Sequence, residues 1–210
     1  MKSNEKAGEN TSNKNSTKAT DKDASKTTAK NTKGGNAEKV NYSTEDENKL
    51  RSFLIDELKD IYYAEDAISK DLKKMEKAAT SQELKDGINK HIAQTQEHIQ
   101  RLQEAFKLMD EKATKKKCEA IEGILKEGSS TVEEQEAGSM VRDVAIIVAS
   151  QKVEHYEIAA YGTLAELAKT LGRYDVAELL EKTLFEEKGT DLTLTDLAKN
   201  SINKEAKAEK

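Results

Sequence analysis

An all-α bundle of two long helical hairpins is the fold class that the sequence predicts, and three observations predict it. Proline and tryptophan are absent and 36% of the residues are charged, while Ala, Glu, Lys and Leu dominate everything beyond the first forty or so positions. Helices run unbroken in such a composition. Apolar residues in that part recur at spacings of three and four, the period of a helix buried on one side. The breaks between these periodic stretches are short, short, and long once, which fixes how the helices connect.

Residues 1–43 form a separate unit of Lys, Ser, Thr, Asn and Ala with almost no large apolar side chain. Such a segment buries too little surface to offset chain entropy and is expected to be disordered. Up to Asn41 it holds nine lysines against five acids, a net charge of +4 out of an overall −5, so the remainder carries −9. A basic tail can reach nucleic acid by counterion release, but this one has no arginine, and no aromatic residue before Tyr42 on which a base would stack. A solubilising role is the expectation, with nucleic acid an unlikely partner.

The bundle domain is expected over 44–206. In Ser43-Thr44-Glu45-Asp46-Glu47, Thr44 is the predicted N-cap and Glu47 its capping-box partner. The first helix then runs to about Ala79, with Leu50, Leu54, Leu58, Ile61, Ile68, Leu72 and Met75 as its apolar stripe. Ala79-Thr80-Ser81 is a turn in which Ser81 caps the next helix, Gln82 to about Asp110, with Leu84, Ile88, Leu102, Ala105, Phe106 and Met109 on its buried side. A long crossover follows over 111–138. It carries a short extra helix around Cys118 to Leu125 and a break at Gly128-Ser129-Ser130-Thr131. The third helix spans about Met140 to Leu171, Gly172 closes it, and the fourth runs from about Asp175 to Asn200. Two hairpins joined by one crossover is the connectivity of ferritin-like four-helix bundles.

Carboxylates and histidines occupy stripe positions where leucine would ordinarily stand. Glu154 lies in register with Ile147, Ile158, Ala165 and Ala168; Glu65 lies between Ile61 and Ile68; Glu187 lies between Leu180 and Leu194, with Asp191 a turn further on. His91 and His98 are seven residues apart, which places them on one face about 10 Å from each other. A buried carboxylate must be protonated, paired or metal-bound. Glu65, His98, Glu154, Glu187 and Asp191, with His91 and Glu157 beside them, are therefore candidate ligands for iron or manganese, whose preference for carboxylate and imidazole they match. Di-metal bundles typically use Glu-x-x-His pairs. Three residues before His98 stands Thr95 and three after Glu187 stands Thr190, so neither pair is present. The alternative is a metal-free network in which Tyr62, Tyr63 or Tyr161 satisfies Glu154, His91 is a hydrogen-bonded core residue, and Glu57, His155 and Glu157 are partly solvated. Cys118 is expected to be a small packing residue, with Lys115 to Lys117 near enough to lower its thiol pKa.

The strings Asp60-Ile61-Tyr62-Tyr63-Ala64-Glu65, Lys117-Cys118-Glu119-Ala120-Ile121-Glu122-Gly123, Ala149 to Leu164 and Glu186-Glu187-Lys188-Gly189-Thr190-Asp191 resemble the YciE/YciF-type ferritin-like stress-protein family over about Leu50 to Ala206. The resemblance implies a rubrerythrin-like bundle, a homodimer, a cytoplasmic location, a role in stress and a core metal site. Members of that family commonly carry Glu where Gln94 stands here. No run of about 18 or more apolar residues is available to span a membrane, and a lone cysteine excludes a disulfide framework.

Overall fold

Thr44–Ala78 forms α1, Gln82–Leu108 α2, Glu119–Glu133 α3, Met140–Thr170 α4, Tyr174–Leu197 α5 and Asn203–Ala208 α6, with a π-helical turn at Ala198–Ile202 joining the last two. These elements come from a computed structural model that describes residues 43–209. The described residues contain no strand. All but Ser43 of the expected disordered segment 1–43 lies outside them. The hairpins α1/α2 and α4/α5 pack on each other, α2 against α5 and α1 against α4, and α3 lies over α4 and α1. Leu54, Leu58, Ile61, Leu84, Leu102, Phe106, Ile146, Tyr161 and Leu180 fill the core between them.

The helix ends explain the chain's route. Ser43, not Thr44, is the N-cap of α1, and its hydroxyl accepts from the Asp46 amide. Ser81 stands at the N-cap of α2 but its side chain makes no cap bond. Asp143 of α4 takes over from a distance: its fully buried carboxylate accepts from the amides of Thr80 and Ser81, both at 2.7 Å. A negative charge at a helix N-terminus is favourable, and here it also ties the first hairpin to the second. At the far end of α2, Arg51 and Arg173 donate to the carbonyls of Met109 and Leu108. Gly172 closes α4 with φ +71, and the Arg173 amide returns to the Ala168 carbonyl at 2.8 Å, the Schellman arrangement.

Two further sequence expectations are corrected. Gly128-Ser129-Ser130-Thr131 does not break the crossover helix; α3 passes through it. The reason is packing, since a Cβ on Gly128 would lie 3.0 Å from the Ala149 Cβ, so glycine lets α3 approach α4 closely. The last helix does not stop near Asn200. The π turn absorbs one extra residue, so fully buried Ile202 returns to the face occupied by Leu194.

The glycines of α3 yield opposite responses to one substitution. Gly123 is exposed, with nothing near its Cβ position, so Gly123→Ala should stabilise by about 0.5–1 kcal/mol through helix propensity. Gly128→Ala must push α3 off α4, an overpacking cost of about 1–3 kcal/mol that outweighs the same gain. Urea denaturation of the two variants checks the sign of each.

Candidate metal centre

Six side chains from four helices converge at the middle of the bundle: Glu65 of α1, His91 and His98 of α2, Glu154 and Glu157 of α4, and Glu187 of α5, none more than 3% exposed. The local reason is helical phase. Residues seven apart on α2 and three apart on α4 share a face, so each of these helices presents two groups inward and α1 and α5 one each. The ligand atoms form two overlapping groups, each with its atoms within 4.8 Å of one another: His91, Glu154, Glu157 and Glu187; and Glu65, His98 and Glu187.

Glu187 belongs to both. Its Oε1 lies 2.8 Å from His98 Nδ1 and its Oε2 lies 3.4 Å from His91 Nε2. On the outer sides, His91 Nδ1 is 3.2 Å from Glu154 Oε1 and His98 Nδ1 is 3.5 Å from Glu65 Oε1. These atoms crowd together without hydrogen-bond alignment. Nine of them, on all six residues, are buried and have no hydrogen-bond partner: one oxygen of Glu65, one nitrogen of each histidine, and both oxygens of Glu154, Glu157 and Glu187. Buried polar atoms are ordinarily paired. Lone pairs that point at a common space are the disposition of ligands about a cation, and carboxylate with imidazole is the donor set of iron and manganese. The residues present fit such ions.

The polar support around the set is specific. His98 Nε2 lies 3.0 Å from Glu186 Oε2, and Arg101 holds the same carboxylate with contacts of 2.6 and 3.0 Å. This chain of carboxylate, imidazole and inner atoms fixes the ring so that Nδ1 faces inward. Tyr161, fully buried, donates a short hydrogen bond to Glu65 Oε1.

Residues 49–207 match the family model described as a domain of unknown function, DUF892. The chain belongs to that family. It is 42% identical over 158 residues to Protein YciF of Escherichia coli (strain K12), a match that covers 75% of this chain and 95% of that protein. The crystal structure of the E. coli stress protein YciF aligns at 42% identity with a TM-score of 0.70, covering 74% of this chain and 98% of that one. YcfI from Rhodopseudomonas palustris aligns at 40% identity with a TM-score of 0.68, covering 73% and 98%. The resemblance read from the sequence strings is borne out.

Of the candidates named from sequence, this DUF892 chain brings together Glu65, His91, His98, Glu154, Glu157 and Glu187. Asp191 is not brought in. It is half-buried at the α4/α5 seam, 3.3 Å from Gln151 Nε2 and 3.2 Å from exposed His155. Glu157, expected at a partly solvated edge, is fully buried. None of the tyrosines serves Glu154: Tyr62 accepts from Gln103, Tyr63 donates to Glu122 and Tyr161 serves Glu65. Gln94, where the family commonly carries Glu, is half-buried. Glu186 and Arg101 were not singled out in the sequence; the signal was there in the Nε2 of His98, which needs an acceptor once Nδ1 is committed inward. Cys118 is buried as expected, capping α3 by accepting from the Ile121 amide. Burial and neighbouring Asp60 push its thiol pKa up, against the lowering expected from the lysines.

Without a cation, protons must balance the charge. Burial opposes charge on His98, but Glu187 and Glu65 outweigh it and raise the imidazole to about 10. Burial raises Glu154 to about 8 against the pull of His91, and burial with three neighbouring carboxylates raises Glu157 well above the usual range. Glu187 moves down: burial opposes this, and the two histidines override it. In the folded protein Glu154 and His98 thus keep protons that the unfolded chain releases near 4.5 and 6.5. The folded state binds more protons, so stability falls as pH rises, through about 4.5 to 8 for Glu154 and about 6.5 to 10 for His98. Melting of chelator-treated protein should show Tm falling steadily from pH 6.5 to 8, the window in which both groups act. A flat or rising Tm there contradicts this protonation pattern.

Proposed function

We propose that the bundle core is a two-ion iron or manganese centre with which the protein handles peroxide or redox metal under stress. One observation carries this reading: nine buried, unpartnered ligand atoms on six residues, arranged so that the two oxygens of Glu187 face different histidines. His98 and Glu65 serve one position, His91 and Glu154 the other, and Glu187 faces both. Glu157 lies in the His91 group and is also within reach of Glu65, which helps to raise its pKa. Charge supports two divalent ions, because four carboxylates neutralise them and leave both imidazoles neutral, as coordination requires. Iron or manganese bound there supplies a redox couple able to reduce peroxide. The chain's own contribution is burial of the six side chains, a fixed His98 ring and a Tyr161 hydroxyl that holds one Glu65 oxygen in place. A metal-free stress protein with a buried polar network is the alternative. It must keep Glu154 and Glu157 protonated, with their O–H groups turned toward Glu187 and Glu65.

The stress assignment rests on E. coli YciF, which is described as a stress protein. No described helix is long and apolar enough to cross a membrane. A homodimer belongs to the same proposal, supported by exposed Val148, Phe185 and Leu192 on α4 and α5; light scattering should return twice the chain mass.

The deciding experiment is elemental mass spectrometry of purified protein after loading with Fe(II) or Mn(II), beside a Glu154→Gln, Glu187→Gln double variant. About two equivalents in the parent and none in the variant establish the centre, and peroxide consumption by the loaded parent then tests the activity. Absence of stoichiometric metal from the parent leaves the polar network as the answer. A second signature follows from the proton balance: the rise in Tm on adding Mn(II) should grow from pH 6.5 to 8, opposite to the trend of the metal-free protein.

A further inference from the structure

The six inner side chains are closed to solvent, so a cation needs a way in. Two voids touch them, each of about 20 Å³ and large enough for one water molecule. The first lies between α1, α3 and α4, and Asp71, Ser150, Glu154 and Gly128 are among the residues that line it. The second lies against His91, is bounded by Thr190, Thr193 and Ser150, and has no carboxylate on its wall.

Of the two, only the first is lined by carboxylates. Asp71 and Leu125 also line a surface cleft of about 350 Å³ between α1 and α3, where Asp66, Lys70, Lys74 and Glu122 stand around the opening. Asp71 is thus common to the cleft and the void. Its carboxylate is largely buried, and Lys74 meets it only at 3.5 Å from the solvent side. Glu154 is 1% exposed and has neither oxygen hydrogen-bonded. A void of one-water size excludes a hydrated ion. A cation passing through must exchange its waters for protein oxygens, and Asp71, Ser150 and Glu154 are the lining residues whose side chains carry oxygen.

Resting on the metal-centre reading, we propose that divalent cations enter the core from the α1/α3 cleft, passing from Asp71 by way of Ser150 to Glu154. Asp71 is a capture residue rather than a ligand of the final centre. Its loss therefore slows loading and leaves the loaded state unchanged.

The test is stopped-flow loading with Co(II), followed by its visible absorption, on the full chain with Asp71→Asn, Ser150→Val and, as a control on the second void, Thr190→Val. The expected result is loading at least about fivefold slower in the first two variants, with the final stoichiometry and spectrum of the parent, and Thr190→Val indistinguishable from the parent. Parental rates in both Asp71→Asn and Ser150→Val, with a parent that loads fully, overturn the route while the centre stands. Slow loading of Thr190→Val with a parental rate in Asp71→Asn moves entry to the second void and also overturns it. A parent that binds no Co(II), Fe(II) or Mn(II) removes the centre itself, and the route with it. If Asp71→Asn fails to fold, Asp71→Ser is read in its place, because Ser150 borders both voids and Asp71 only the first.

Discussion

Burial of four carboxylates and two imidazoles at one point of the core is the constraint on which the rest of this structure depends. Each isolated charge there would cost several kcal/mol, so the surroundings must balance the group as a whole. Protons do so in the metal-free chain, as the raised Glu154, Glu157 and His98 and the lowered Glu187 show. Two divalent cations would do so with no proton at all. The same six residues can therefore be neutralised in two ways, and the choice between them depends on pH and metal supply.

The helices are arranged to hold that group still. α1 and α5 contribute one inner side chain each at mid-length, where a helix is least able to fray, and α2 and α4 contribute two each. Asp143 fixes the α1/α2 turn to α4 through two 2.7 Å hydrogen bonds, so the hairpins that carry opposite halves of the centre are joined by a buried charged contact as well as by apolar packing. Arg51 and Arg173 close the other end of α2. A slip of one residue along any of these helices would rotate its ligand by about 100° away from the core, and the caps oppose that slip.

Where a helix has one dry face the sequence could be read directly. Glu65 and Glu187 interrupt clear apolar stripes, and the seven-residue spacing of His91 and His98 is unambiguous on α2. α4 was harder, because it packs against α1, α3, α5 and the C-terminal turns and is buried on several sides. Its apolar residues therefore run around the helix, and nothing in their period says that Glu157 is as deep as Glu154. Asp191 failed for the converse reason: one turn from Glu187 lies within the same broad arc, yet the turn between them moves the side chain from the core to the α4/α5 seam. Gly128 read as a breaker because glycine is a poor helix former in isolation. Its role is set by Ala149, more than twenty residues away, a contact that no local pattern encodes.

The two halves of the centre are not equivalent. His98 is held from behind by Glu186, itself clamped by Arg101, and its neighbour Glu65 is held by Tyr161. His91 and Glu154 have no comparable support among the described residues: the His91 ring meets only Glu154 and Glu187, and one small void adjoins each of the two residues. Outer hydrogen bonds orient a ligand and raise its affinity, whereas an adjoining void lets a ligand turn and a water enter. On the proposed metal-centre reading, the His98 side would retain its ion and the His91 side would exchange it. The missing Glu-x-x-His pairs fit the same asymmetry, since α4 presents two carboxylates three residues apart where such a pair would put a histidine, and the second imidazole comes instead from α2, on the side that faces the voids.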